Sequence, residues 1–230
     1  IAIAFDDAAK DFPVTKTALV GIPMRKAFLD EVQDPIQQLQ LPTEKPLIFV
    51  TGGSIGAQKI NSLIMESLDD LLPNYTILHQ TGEKNEETVR LTSSQLITDT
   101  SLLARYFVKG SLNATEMNLA QSAASIIVSR AGTGTIFEIA HKGKPSIVIP
   151  IPEDVSHDQR TNAYAYARSG AASVLEEANL TDGLLTSEIT RIMGDQETYK
   201  AMSSAAKAFA GDDAAATIAK TLIEVTEEHV

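Results

Sequence analysis

The sequence predicts an α/β protein built on a Rossmann-like, doubly wound parallel sheet. Three observations favour this fold class. Short apolar runs rich in β-branched residues recur along the chain, stretches with helical spacing of apolar residues lie between them, and several runs are apolar throughout. Parallel strands that are covered on both faces need such continuous apolarity. The alternation of strands and helices favours right-handed crossovers within one sheet.

The strands are expected in seven places, after a strand-like opening segment at residues 1–5. The seven runs span residues 17–20, 47–51, 76–80, 106–108, 126–129, 146–150 and 172–175.

Helices are predicted between and after these strands. An apolar stripe at helical spacing predicts one helix over about residues 57–72, formed by Ile60, Leu63, Ile64, Leu68, Leu71 and Leu72. A second stripe, of Ile136, Ile139 and Ala140, predicts a helix after Thr135. The Ala-rich last third predicts helices over 188–192, 196–209 and 214–226.

The chain begins with Ile1 rather than Met, and its first residues already resemble a strand. We therefore expect a piece of a longer protein, the alternative being a numbering that starts at the first ordered residue. The Gln-rich, Pro-flanked stretch 31–45 is either a boundary between the opening segment and the main alternation or a helix with a loop.

Composition excludes several classes of function. The formal net charge is −11, with the acids spread along the chain, which argues against sequence-independent binding of nucleic acid. The chain has no Cys, and so no thiolate nucleophile and no cysteine-ligated metal. The four His residues are scattered, which makes a zinc site improbable. No apolar run reaches the roughly 20 residues of a membrane span.

Two glycine-rich turns are predicted at carboxyl ends of strands, where ligands bind in open α/β sheets. The first turn, residues 51–57, contains Gly53 and Ser54 and precedes a helix. Glycines let the backbone turn tightly, and the free N–H groups of a first helical turn favour negative charge. This turn is either an anion site or a purely structural connection.

The second turn, residues 129–135, also precedes a helix, and we expect Thr133 or Thr135 to cap that helix. Two phosphate-favouring helix ends in one sheet indicate a nucleotide or a nucleotide-activated substrate. Glu138 lies about one turn into the helix, where it either holds a sugar diol or is an ordinary first-turn acid.

Other sites are weaker. A nicotinamide dinucleotide site needs an acid at the end of the next strand, where this chain has His79 and Gln80, and the Lys-Ser/Thr pair of a P-loop is missing. Arg130 is either a ligand contact or a structural ion-pair partner. The acidic cluster of Glu153, Asp154 and Asp158 is interpreted as part of a solvated loop rather than as a cation site.

Six motifs in order resemble the carboxyl-terminal half of the MurG family of glycosyltransferases. They are residues 21–25 (GIPMR), 51–57 (TGGSIGA), 79–82 (HQTG), 129–135 (SRAGTGT) with Glu138, 143–145 (GKP) followed by Ile149 and Pro150, and Gln159 with Asn162 and Ala163. The resemblance runs from about Phe5 to the final helices. It implies a two-domain GT-B glycosyltransferase, with residues 1–16 ending the amino-terminal domain and its linker, and residues 17–230 forming the domain that binds a UDP-sugar.

The resemblance also implies roles for single residues. Arg25 and the loop of Gly53 and Ser54 would face the diphosphate, and the helix start at Gly132, Thr133, Gly134 and Thr135 would bind phosphate. Glu138 would hold the ribose, the backbone near Val108 would bind the uracil, and Gln159 with Asn162 would contact the sugar. The family has His directly before this Gln, whereas here Asp158 separates His157 from Gln159, so the role of His157 stays open.

The implied activity is transfer of N-acetylglucosamine from UDP-N-acetylglucosamine to lipid I, which makes lipid II for peptidoglycan. The acceptor site, the catalytic base and the membrane-facing patch would belong to the family's amino-terminal domain, on a cytoplasmic enzyme peripheral to the inner face of the cell membrane. No cofactor and no metal are expected, and the isolated domain is expected to be inactive. Alternatives are a UDP-N-acetylglucosamine 2-epimerase and a non-catalytic donor-binding subunit.

Overall fold

The computed structural model describes residues 1–53, 58–155, 157–181 and 183–227, with only the backbone of His157. Within these residues the chain forms one six-stranded parallel sheet and one two-stranded parallel sheet. The strands are β1 (Ala2–Ile3), β2 (Ala18–Leu19), β3 (Leu47–Thr51), β4 (Thr76–Gln80), β5 (Tyr106–Lys109), β6 (Ile126–Ser129), β7 (Ser146–Val148) and β8 (Ala172–Val174).

Helices connect the strands of the large sheet and extend beyond it. They are α1 (Lys26–Leu29), α2 (Pro35–Gln38), α3 (Gln58–Glu66), α4 (Leu68–Leu71), α5 (Glu86–Leu96), α6 (Thr100–Leu103), α7 (Ala114–Ala123), α8 (Thr133–His141), α9 (His157–Arg168), α10 (Leu184–Gly194), α11 (Gln196–Ala210) and α12 (Ala214–Glu227). No helix in these described ranges is both long enough and apolar enough to span a bilayer.

The order of the large sheet is β5-β4-β3-β6-β7-β8. If β3 is counted as the first strand, this is the 3-2-1-4-5-6 order of the Rossmann fold. The order reverses between β3 and β6, which pair in register with Thr51 opposite Ser129. Ligands bind at such a switch point, outside the carboxyl ends of the strands. The two glycine-rich turns follow these two strands.

The sheet is buried on both faces, as the continuous apolar runs predicted. All residues of β3, β4 and β6 are buried. Ile60 and Ile64 of α3 pack on one face, and Ala120 of α7 packs on the other. Beside the sheet, Phe5 of the opening segment contacts Phe137 of α8, with ring centroids 5.5 Å apart. The opening segment thereby packs on the helix that follows the second glycine turn.

Two predicted elements differ from the structure. The predicted strand at 17–20 is present as β2, but β2 is exposed and pairs with β1 outside the main sheet. The predicted helix over 57–72 is divided into α3 and α4 at Ser67. The Ser67 hydroxyl donates to Leu63 O at 2.8 Å, and the Ser67 N–H donates to Ile64 O instead. This side-chain bond to a carbonyl four residues earlier competes with the regular helical pattern.

Candidate functional site

Both glycine turns open into one cleft of about 440 Å³ at the switch point. Gly53 of the first turn lies in its wall together with Gly134 and Thr135 of the second turn. The two turns meet because β3 and β6 are adjacent parallel strands whose carboxyl ends lie at the same edge. The convergence that the anion-site interpretation requires is therefore present.

The first turn is fixed by a chain of hydrogen bonds from the neighbouring strand. The Gly53 N–H donates to Thr51 Oγ1 at 3.1 Å, and the Thr51 hydroxyl donates to Gln80 Oε1 at 2.7 Å. Gly53 has a φ of +85°, which favours glycine at this position. Ser54 and the rest of the turn to residue 57 lie outside the described residues. Sequence analysis missed the anchoring roles of Thr51 and Gln80, both of which line the cleft.

The second turn leads into α8 without a side-chain cap. The N-cap is Gly132, so the expectation that Thr133 or Thr135 caps the helix is wrong. Thr133 is the first helical residue, and its hydroxyl accepts a hydrogen bond from Asn162 Nδ2 at 3.1 Å. Because no side chain caps the first turn, its N–H groups and the positive end of the helix dipole remain for a ligand.

Glu138 of α8 contacts two polar side chains in the cleft. Its Oε1 accepts from Arg25 Nη2 at 2.6 Å, and its Oε2 accepts from Gln121 Nε2 at 3.3 Å. The Arg25 guanidinium also lies over the Phe28 ring, 4.6 Å from its centroid. Arg25 is more than half exposed, whereas Glu138 is mostly buried. The cleft therefore holds one cation on a long, exposed side chain and one carboxylate with restricted access to water.

An apolar wall of the cleft was not predicted. It consists of Leu112, Ala114 and Met117, at the start of α7 and in the segment before it. This helix begins with a capping box, in which the Asn113 side chain accepts from the Glu116 N–H and Glu116 accepts from the Asn113 N–H. The box fixes the entry of the chain into α7.

Val108 lies away from this cleft. It is buried within β5, its carbonyl accepts from Arg90 Nη2 at 2.9 Å, and it does not line the cavity. Leu112 and Met117, which follow β5 in the chain, do line the cavity.

The two residues expected at the sugar lie on α9. Asn162 reaches the second turn through its bond to Thr133 and a longer contact of 3.4 Å to Ala131 O. Gln159 Oε1 accepts from the Ile151 N–H at 3.4 Å. Neither residue lines the 440 Å³ cavity, so the structure places both beside it rather than in its wall.

Arg130 is a structural ion-pair partner. Its Nη1 donates to Glu177 Oε2 at 2.7 Å and to the carbonyls of Ile149 and Pro150, each at 3.1 Å. Arg130 does not line the cleft. These contacts hold the segment that leads from β7 towards Gln159.

A buried polar network lies next to the first turn, among the strands and the helix that flank it. The side chain of His79 in β4 is fully buried between Tyr106 and Asn61. Asn61 Nδ2 donates to Thr81 O, so Asn61 Oδ1 accepts from His79 Nε2, and His79 Nδ1 accepts from the Tyr106 hydroxyl. Burial lowers the pKa of His79 to about 3, which keeps the ring neutral. The network joins β4, β5 and α3, the helix that follows the first turn.

Among the acidic residues that follow β7, Glu153 forms an ion pair with Arg160 at 3.3 Å. Arg160 also contacts Glu176, which follows β8, at 2.8 Å. In the described part of the chain, no group of three or more His, Asp or Glu residues is arranged to hold a metal ion. The expectation that the site works without a metal stays a prediction.

Comparisons with known proteins identify the family of this chain. Residues 47–218 match the glycosyltransferase family 28 C-terminal domain. The chain is 32% identical over 228 residues to the UDP-N-acetylglucosamine--N-acetylmuramyl-(pentapeptide) pyrophosphoryl-undecaprenol N-acetylglucosamine transferase of Nostoc punctiforme, covering 99% of this chain and 60% of that protein. It is 33% identical over 221 residues to the enzyme of the same name from Geobacter metallireducens, covering 95% and 58%.

Solved structures share the fold. Acinetobacter baumannii MurG superposes with a TM-score of 0.73 at 24% identity, covering 97% of this chain and 60% of that chain. UDP-GlcNAc 2-epimerase from Neisseria meningitidis, bound to UDP-GlcNAc, superposes with a TM-score of 0.67 at 15% identity, covering 96% and 60%. The chain thus spans about 60% of the length of these relatives. The family match covers most of the chain, including both glycine turns, and the chain therefore belongs to glycosyltransferase family 28, of which it contains the C-terminal domain.

Proposed function

We propose that this chain is the donor-binding domain of an inverting glycosyltransferase that moves N-acetylglucosamine from UDP-N-acetylglucosamine to lipid I, forming lipid II in peptidoglycan synthesis. The observation that carries the proposal is the single cleft in which two glycine turns meet the pair of Arg25 and Glu138. The names of the relatives describe this transfer and support the donor and the acceptor.

The diphosphate of the donor is assigned to the switch point. The uncapped first turn of α8 offers N–H groups at Gly134 and Thr135, and Arg25 adds a positive charge to the same cleft. Helix N-termini and guanidinium groups both favour phosphate oxygens. Gly53 lets the first turn approach the ligand, and Ser54 is proposed as a further donor to the phosphates.

The nucleoside is assigned to the remaining part of the cleft. Glu138 accepts hydrogen bonds from the ribose hydroxyls, because an ionised carboxylate offers acceptors only. The uracil ring lies against the apolar wall of Leu112, Ala114 and Met117, which replaces our expectation at Val108. Gln159 and Asn162 on α9 contact the sugar, beside the start of α8.

The chemistry follows from these contacts. A hydroxyl of the acceptor attacks the anomeric carbon, the bond from that carbon to the diphosphate oxygen breaks, and UDP leaves with the bonding electrons. Negative charge grows on the leaving diphosphate, so fixed N–H groups and Arg25 stabilise the transition state electrostatically. The proton of the acceptor hydroxyl goes to a general base.

We assign the general base, the acceptor site and the contact with the inner face of the cell membrane to the family's amino-terminal domain. This chain by itself is then expected to bind the donor without transferring the sugar.

Product analysis tests the proposal. The enzyme that contains this domain, incubated with UDP-N-acetylglucosamine and lipid I, is expected to release UDP and form lipid II. Epimerisation of the sugar on UDP without any lipid acceptor would contradict the transferase assignment.

A further inference from the structure

Gln121 is a buried polar residue of the cleft whose hydrogen bonding is incomplete. It lies on α7, is 1% exposed and contributes to the cleft wall. Its Nε2 donates to Glu138 Oε2, but its Oε1 is closed to water and has no hydrogen-bond partner in the described part of the chain. An unpaired buried acceptor is destabilising, so it calls for an explanation.

The orientation of this amide is set by its neighbour. The carboxylate of Glu138 can only accept, so the amide presents its NH₂ group to Glu138 and its oxygen to another direction. The terminal torsion of glutamine is broad, so a small rotation brings Oε1 towards a group that enters the cleft. A ligand atom that completes this site must donate a hydrogen bond.

The position of Gln121 identifies the part of the nucleotide that supplies this donor. Met117 of the apolar wall lies one helical turn earlier on α7, and Gln121 contacts Glu138 on its other side. Gln121 therefore lies between the surface assigned to the base and the carboxylate assigned to the ribose. The ribose carries two neighbouring hydroxyls, and two adjacent acceptors can each take one.

We propose that Gln121 is a specificity-determining contact to the ribose, with Oε1 accepting one hydroxyl while Glu138 accepts the other. This inference rests on the proposed function, because it takes a ribonucleotide as the ligand of the cleft. It adds a residue that no motif indicated, and it predicts that the domain distinguishes ribonucleotides from deoxyribonucleotides through two side chains.

The test is a calorimetric titration of this chain with UDP, 2′-deoxy-UDP and 3′-deoxy-UDP. Gln121→Met keeps the length of the side chain and removes the acceptor. We expect it to weaken UDP about tenfold and to reduce the preference for UDP over one of the two deoxy analogues. Gln121→Leu serves as a second variant if the first does not fold, and Gln95→Met, at an exposed position of α5, is the matched control.

A second comparison distinguishes a direct contact between Gln121 and the ribose from an effect of Gln121 on the position of Glu138. In a Glu138→Gln background, Gln121→Met is still expected to weaken UDP. A loss that occurs only when Glu138 is present, or an equal loss for all three nucleotides, would overturn the inference. UDP binding that Gln121→Met leaves unchanged would overturn this inference alone, whereas absence of UDP binding to the unaltered chain would overturn the proposed function as well.

Discussion

Arg25 Nη2 and Glu138 Oε1 form an ion pair of 2.6 Å across the cleft, although the two residues are 113 positions apart in the chain. Our assignment gives them different partners, the diphosphate for Arg25 and the ribose for Glu138. The donor must then separate or share this pair when it binds. Before the donor binds, the two opposite charges compensate each other. The pair therefore links the phosphate subsite to the ribose subsite.

Replacing Glu138 tests the ribose subsite. Glu138→Ala should weaken UDP by about 10- to 100-fold, since hydrogen bonds to charged groups contribute about 1.5–3 kcal/mol. Pyrophosphate should bind as well as before or more tightly, because Arg25 is then released from its ion pair. Competition titrations with both ligands measure this, with Glu138→Gln as the variant that keeps the side-chain size. Equal losses for UDP and pyrophosphate would contradict the ribose assignment.

Replacing Arg25 tests the diphosphate subsite. Arg25→Ala should weaken pyrophosphate by about tenfold or more and should also weaken UDP. Uridine should bind as well as before or more tightly, because Glu138 is then released from its ion pair. Arg191→Ala is a matched control, because Arg191 is similarly exposed, does not line the cleft and also forms an ion pair, with Glu188 at 2.6 Å. Unchanged pyrophosphate affinity in Arg25→Ala would show that Arg25 does not face the phosphates.

Replacing Leu112 tests the apolar wall as the surface for the base, and replacing the core residue Val108 is the comparison that affects stability. Leu112→Ala should weaken UDP and uridine about three- to tenfold without affecting pyrophosphate, because it removes apolar contact with the ring. Val108→Ala should reduce the free energy of unfolding by about 1–3 kcal/mol through a core cavity, with UDP affinity preserved. Urea unfolding and nucleotide titration measure both quantities. Unchanged affinity for UDP and uridine in Leu112→Ala would contradict the apolar wall as the surface for the base.

A substitution at Gly134 tests UDP binding separately from the stability of the fold. A Cβ atom at Gly134 would meet nothing within 4 Å, and the residue lies in the first turn of α8. Gly134→Ala should therefore leave the free energy of unfolding unchanged or raise it by up to about 1 kcal/mol. It should nevertheless weaken UDP, because the new methyl group occupies the cleft beside the free N–H groups. Retained UDP affinity would place the phosphates elsewhere.

The burial of His79 predicts that the free energy of unfolding decreases at acidic pH. Its pKa is about 3 in the folded chain and about 6.5 when unfolded, so between these values only the unfolded state binds the proton. The contribution to stability is complete above pH 6.5 and falls by about 1.4 kcal/mol per pH unit as the pH drops towards 3. His79→Gln, compared with the unaltered chain by urea unfolding at pH 7, 6 and 5, should remove this part of the slope. Parallel pH profiles for the two proteins would contradict the buried neutral His.

The strands could be predicted closely because their apolar runs are continuous. β3, β4 and β6 have the predicted bounds, since strands covered on both faces leave little ambiguity in the pattern. The break at Ser67 could not be predicted from periodicity, because it arises from one hydroxyl that bonds to Leu63 O. The apolar stripe continues across it without a change.

The glycine turns could also be predicted, because they follow adjacent strands at the switch point. What sequence analysis missed are contacts across the fold. Asn162 binds the Thr133 hydroxyl from another helix, and Gln121 reaches Glu138 from α7. Tertiary packing selects these partners, and no local pattern carries that information.

Titration of UDP into this chain by calorimetry tests the central claim most directly. The account predicts saturable binding at one site per chain, competed by UDP-N-acetylglucosamine and weakened by both Arg25→Ala and Glu138→Ala. A folded sample that releases or absorbs no heat with UDP at millimolar concentration would contradict it.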